Sequence, residues 1–266
     1  MRESPVGIEP GARHSTAVIS PEAELAESVV VGPYAVIGPG VRLAERVRIG
    51  PHAYIERDTR VGEDTHIHAG AVLGTDPQDM KYDGEASVLE VGSRTTIREY
   101  ATLNRGTAAS GRTSVGDDCL IMAYAHVAHD CHLGDHVILA NAVNMGGHVE
   151  IGDWAIVGGV TAIHQFVRIG RHAFVGGGSR VPQDVAPYVT VAGNPCAAYG
   201  INTEGLRRRG FGRETLASLR HAYRVLFRSN RNMGDALEAL ASEGRLGEEV
   251  SELTAFIRTS ERGVTT

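Results

Sequence analysis

The chain has 266 residues, is 42% hydrophobic but only 5% aromatic, and carries 33 glycines against one tryptophan, a balance that suits a thin repeat array better than a globular core. A formal charge of −6 gives no bulk attraction to nucleic acid, and no apolar run reaches membrane-spanning length. The opening MRESPVGIEPGARHS has no signal-peptide core, and three cysteines without metal-type spacing read as reduced thiols of a cytoplasmic protein.

Residues 1–18 lead into a repeat that begins at Ile19. Stepping by six from there to Val181, twenty-five of twenty-eight positions are Ile, Leu, Val or Met, and the exceptions are Asp79, Glu85 and Ala109. A helix repeats near 3.6 residues and a strand at 2, so a period of six means a short strand and a turn, repeated. Glycine often follows the aliphatic residue, as at Gly32, Gly50 and Gly134, where a permissive backbone is expected to make a corner. Ala35, Ala53, Ala101 and Ala125 mark a recurrent small position. Turn pairs Asp76-Pro77, Asp83-Gly84 and Ser110-Gly111 predict two loops that leave the repeat, near 74–90 and near 107–114. Beyond Pro187 comes a Gly- and Arg-rich connector, then helical stripes. Leu216, Leu219, Tyr223, Leu226 and Phe227 form the first, Ala236, Leu237 and Leu240 a second, and Val250, Leu253, Phe256 and Ile257 a third.

This pattern resembles the left-handed parallel β-helix of hexapeptide-repeat proteins, in which three hexads make one triangular coil. The hand comes from the resemblance, since crossovers are otherwise right-handed. The expected architecture is therefore mainly β: a left-handed parallel β-helix over residues 1–190, then a connector and C-terminal helical domain over 191–266 that caps the open end.

The coil period converts spacing into neighbourhood. Residues 18 apart stack about 4.8 Å from each other. Gly147 then lies one coil above His129, Gln165 one above that, and His148 one above Asp130, so all five should share one patch on one face. That patch holds the parts of a general-base acyl transfer. A neutral imidazole can take a proton from an attacking hydroxyl, a carboxylate can hold its tautomer, and a glycine N–H can face the oxyanion. No serine or cysteine stands beside a partner base, which favours direct attack over a covalent intermediate. His52, His66, His68, His132, His136, His172 and His221 read as solvated and inert.

The segments AHVAHDC, LANAVNMGGHV, TAIHQF and GINTEGLRRRGF resemble the acyl-[acyl-carrier-protein]–UDP-N-acetylglucosamine O-acyltransferases, which open lipid A synthesis; the likeness runs from about residue 14 to the C-terminus. The resemblance implies that His129 is the general base toward the glucosamine 3-hydroxyl, that Asp130 supports it, and that the Gly147 N–H faces the oxyanion. It implies that His126 and His148 position substrate, that Gln78, Asp79 and Lys81 hold the sugar nucleotide, and that His164 and Gln165 belong to a neighbouring binding segment. Asn202, Glu204, Arg208 and Arg209 would grip the nucleotide, and Gly177 would act as acyl-chain ruler from another face, which calls for a homotrimer. Acyl carrier protein and UDP-N-acetylglucosamine are the implied partners, with no cofactor and no stable membrane insertion. Because the carrier protein is acidic, Arg168, Arg171 and Arg180 are candidates to meet it.

Two departures bear on the acceptor. Asn104-Arg105-Gly106-Thr107 stands where the family often has His-Arg-Gly-Thr, and Asn194-Pro195 where it often has Asn-His. Both leave open whether the sugar carries a hydroxyl or an amine at C3. A related N-acyltransferase carries a substantial domain before its repeats, whereas here they start by Ile19. A third alternative is a zinc-binding hexapeptide protein; in the zinc carbonic anhydrases of this fold the local histidine pair is five apart, whereas His132 and His136 are four apart, so no metal is expected.

Overall fold

The structure, a computed structural model, describes residues 9, 11–244 and 246–266. Residues 1–8, which carry most of the leader reading, lie outside the described residues.

Short strands follow one another from β1 (Val18–Ile19) to β25 (Arg180–Val181), most of them two residues long. As far as β22, each pairs in parallel with the strand three places on, as in Val18↔Val36 and Ile19↔Ile37, so that one coil is three hexads long. Three sheets result: a first face of nine strands, β1 to β25, a second of eight and a third of ten. The third face ends in β26 (Val189–Ala192) and β27 (Ala197–Ile201), an antiparallel hairpin whose turn holds Pro195. The fold is the expected left-handed parallel β-helix. Its core follows the hexad: the second residue of each strand points inward, so Ile37, Ile55, Val127 and Leu139 are buried, and the small alanines are buried beside them.

The corners are built differently from the expectation. Glycines such as Gly50 do not take the left-handed conformation; that falls two residues later, on His52, and likewise on Asp130, His148 and Phe166. Gly50 is needed because a Cβ there would lie 2.7 Å from the backbone nitrogen of Ala69 in the next coil. Close approach between coils, rather than turn geometry, excludes a side chain.

The first loop is narrower than predicted, because strands extend into it from both sides, and the second begins and ends about two residues earlier than predicted, because a strand extends into its far end. β10 (Val72–Thr75) and β11 (Val88–Val91) bracket the first, and β13 (Thr102–Asn104) and β14 (Arg112–Val115) the second. Pairing continues through the added residues, Val88↔Arg112 to Val91↔Val115. On the first face the spacing widens from 18 (Tyr54↔Val72) to 30 (Val72↔Thr102) and then 24 (Thr102↔His126), so the insertions are multiples of six and the phase survives. Both loops leave at the corner between the first and second faces.

The connector contains a short helix, α1 (Thr203–Arg208), before α2 (Arg213–Phe227), α3 (Met233–Ser242) and α4 (Glu248–Arg258). The predicted stripes are buried, except Phe256, which is half-buried under the Arg168 guanidinium at 4.6 Å from the ring centre. Tyr223 donates to the Ala198 carbonyl at 3.1 Å and Tyr188 to Glu252, so the helices dock on the last coil. The chain end returns to the prism, where Thr265 N donates to Asp184 O at 2.8 Å.

His172 is not solvated, contrary to the sequence reading. It is 3% exposed within an aromatic column, His136–Trp154–His172–Tyr188, at the corner between the second and third faces. Burial, aided by Arg171 and Arg209, depresses its pKa to about 4. The unfolded chain therefore takes up its proton first as pH falls, and stability is lost between about pH 6.5 and pH 4. His172→Phe preserves the stacking and removes the proton, so urea midpoints from pH 7.5 downward should fall less steeply than in the parent; an identical slope would refute this.

Candidate active site

His126 is the outward residue of β16 (His126–Val127) on the first face, and the chain then turns through Ala128, His129 and Asp130 into β17 (His132–Leu133) on the second face. The predicted patch thus sits at a corner, not on a flat face. His129 Nδ1 lies 2.8 Å from Asp130 Oδ2, and the Asp130 side chain is fully buried. Asp130 also accepts from the Thr107 N–H at 3.0 Å, from the Thr107 hydroxyl at 2.8 Å and from the Ser110 hydroxyl. Burial opposes its charge, but the bonds from Ser110, His129 and Thr107 outweigh it and hold the carboxyl well below the usual range. An ionised Asp130 at the Nδ1 side leaves Nε2 as the free, basic nitrogen of His129.

The stacking arithmetic holds. A Cβ on Gly147 would lie 2.5 Å from His129 Cε1 and 2.7 Å from Nε2, so the glycine lets the ring in. His148 meets His129 edge to face at 5.2 Å and lies 3.7 Å from Asp130 Oδ2. Burial lowers the pKa of His148 and of His126. His126 Nδ1 is 2.7 Å from the Thr102 hydroxyl. Gln165 and His164 are exposed one coil further, and Phe166, which the sequence reading missed, stacks on His148 at 4.4 Å. Its signal was available: it stands one full coil past His148.

On the first loop, Asp79 is half-buried, accepts from Lys81 N at 3.0 Å and acts electrostatically on His148, so this loop borders the site; Gln78 and Lys81 are exposed. Asn104 is buried and donates to the Thr75 hydroxyl at 2.7 Å and the Asp76 carbonyl at 2.9 Å, anchoring the same loop. The remaining predicted residues lie elsewhere. Asn202 caps α1 through Gly205 N at 3.1 Å and donates to His172 O at 3.0 Å. Arg208 pairs with Glu204 at 3.0 Å, and Arg209 lies over Trp154 at 5.0 Å. These four belong to the corner between the second and third faces. Gly177 is exposed at the third corner, beside Gly159. One chain therefore does not bring Gly177 or α1 to His129.

Other expectations are placed as follows. His132 bonds Ser114 at 2.9 Å on the second face while His136 stacks on Trp154 at 3.8 Å, so the two do not converge. Arg168 and Arg171 face Glu150 and Glu252 at 3.4 and 3.7 Å. Cys119 is buried and free, with its thiol pushed by burial up to about 11, a poor nucleophile. No helix among the described residues is long and apolar enough to cross a membrane.

The family described as Udp N-acetylglucosamine O-acyltransferase, domain 2, matches residues 184–265, and the bacterial transferase hexapeptide repeat matches 112–147. An acyl-[acyl-carrier-protein]–UDP-N-acetylglucosamine O-acyltransferase of Paracidovorax citrulli is 55% identical over 94% of this chain and 98% of its own length. One from Paraburkholderia xenovorans is 52% identical over 94% and 98%. The crystal structure of a UDP-N-acetylglucosamine acyltransferase from Bacteroides fragilis superposes with a TM-score of 0.94 at 40% identity, covering 96% of this chain and all of that one. With relatives so similar over nearly the whole length, the chain belongs to the acyl-[acyl-carrier-protein]–UDP-N-acetylglucosamine O-acyltransferase family of hexapeptide-repeat enzymes.

Proposed function

We propose that this enzyme moves a 3-hydroxyacyl chain from acyl carrier protein to the glucosamine 3-hydroxyl of UDP-N-acetylglucosamine, the first step of lipid A synthesis. His129 Nε2 takes the hydroxyl proton as the oxygen attacks the thioester carbonyl. The tetrahedral oxyanion faces the Gly147 N–H. It collapses with cleavage of the C–S bond, and the imidazolium returns the proton to the departing thiolate. No acyl-enzyme forms. The observation that carries this reading is the 2.8 Å contact between His129 Nδ1 and the buried Asp130, which directs the basic nitrogen outward.

The site is completed by a homotrimer. His129, α1 and Gly177 occupy three different corners of one prism, so they can meet only when corners of different copies meet. Gln78, Asp79, Lys81, His126 and His148 hold the sugar side, Gln165 and His164 the neighbouring segment, and Asn202, Glu204, Arg208 and Arg209 of an adjoining copy the nucleotide. For the acidic carrier protein, Arg207, Arg213 and Arg220 line a cleft of about 630 Å³ on the helices, a better match than the ion-paired Arg168 and Arg171.

A metal reading has one observation behind it: donor atoms of His129, Asp130 and His148 lie within 4.8 Å of one another. The fit is poor, because Asp130 already accepts four hydrogen bonds. One experiment separates the readings. Purified protein is mixed with UDP-N-acetylglucosamine, or its 3-amino analogue, and 3-hydroxyacyl carrier proteins of graded length, and its zinc content is measured. Transfer to O3 by metal-free protein is expected. Absence of transfer with every donor would refute the proposal, and a stoichiometric zinc ion would favour the metal reading.

A further inference from the structure

Asp130 is gripped from a loop that the repeat does not require. Thr107 N–H and the Ser110 hydroxyl donate to Oδ1, and the Thr107 hydroxyl donates to Oδ2, the oxygen that also takes His129 Nδ1. Both residues lie between β13 and β14. The loop is braced in turn: Ala108 N donates to Glu85 Oε1 at 3.0 Å, and the fully buried Arg105 bonds Gly74 O, Asp76 and the Tyr82 hydroxyl of the first loop. The backbone of Asp130 is fixed too, through Thr113 Oγ1 at 2.9 Å.

We propose that Thr107 and Ser110 are positioning residues for catalysis, clamping the Asp130 carboxylate so that it serves His129 and no other group. The proposal rests on His129 being the base. A carboxylate offers about four lone-pair sites; the loop takes three and His129 the fourth. The clamped group cannot turn toward His148, 3.7 Å from the same oxygen, without breaking bonds. The Thr107 hydroxyl also draws charge from Oδ2, moderating its hold on the imidazole proton. The other titratable groups facing the pair are His126 on the preceding strand, His148 in the next coil, and Glu85 and Asp79 on the first loop. Thr107 bonds none of them directly, although its hydroxyl also accepts from Ala109 N at 3.2 Å, next to the Ala108 N–H that holds Glu85.

Thr107→Val keeps the shape and the backbone donor but removes the hydroxyl. It should lower kcat about tenfold, as loss of an orienting hydrogen bond does, with KM for the sugar nucleotide nearly unchanged. The acidic limb of the pH–rate profile should move up by roughly half a unit, because Oδ2 then bears more charge toward His129. Thr107→Ser should restore both, and Ser110→Ala should shift the limb in the same direction if Thr107→Val does not fold. The His129 imidazole titration, followed by NMR without substrate, should show the same displacement. An unmoved limb and titration with only a lower Tm would overturn the proposal. A displaced titration in a protein that never transfers acyl groups would uphold the clamp and refute the base.

Discussion

His129→Ala should lower kcat for acyl transfer by about 10²- to 10⁴-fold, the range general-base catalysis supplies, with little change in KM for the sugar nucleotide. The imidazole is only 12% exposed and fills one acceptor site of the fully buried Asp130, so its removal should also cost about 1–3 kcal/mol of stability. Asp130→Asn is the informative companion. Its amide would turn two hydrogens toward a set of donors, Thr107 N–H, Thr107 Oγ–H, Ser110 Oγ–H and His129 Nδ1–H, and only one half of it can accept. A loss of activity similar to that of His129→Ala is expected, together with about 1–3 kcal/mol of stability from the unmatched buried donors. Steady-state kinetics and urea unfolding of the two variants give the answer. Undiminished turnover in His129→Ala would refute the mechanism while leaving the fold and family untouched.

Gly147→Ala should be nearly as damaging to activity, with a smaller loss of stability than Gly146→Ala. Its Cβ would lie 2.5 Å from His129 Cε1, and the ring can yield only by giving up its 2.8 Å bond to Asp130. A misplacement near 1 Å costs about 10²-fold in rate when reacting groups must be aligned. Backbone conformation offers no objection, since Gly147 is not among the left-handed glycines. Gly146→Ala is the matched contrast: its Cβ would meet the backbone nitrogen of Gln165 at 2.7 Å, so coil must move against coil and the loss should appear in Tm. Kinetics and thermal unfolding of the pair test the assignment. Equal losses of Tm with normal kcat in Gly147→Ala would show that no base occupies that space.

Much of the site was readable because the repeat is arithmetically simple. Adding 18 to His129 and to Asp130 reaches Gly147 and His148, and the structure places them in contact. The same sum reaches Phe166 from His148, which the sequence reading passed over by attending to polar residues. The clamp by Thr107 and Ser110 was harder to see, because two insertions separate the loops from the regular count. Once those insertions are recognised as twelve and six residues, both loops fall at the corner that holds His129. Residue type alone does not reveal that His172 is buried in a column of rings.

The sequence by itself determined the repeat, the coil length, the break at the helical segment and the neighbours of His129, because a backbone that must hydrogen-bond to itself once per coil turns spacing into position. Tertiary structure alone decided that the first and second loops fold back to the corner of His129, that Asp130 is filled by three donors from one of them, and that α1 packs at another corner. Those outcomes depend on side-chain directions in turns and on where an irregular insertion folds back, and neither has a period to count.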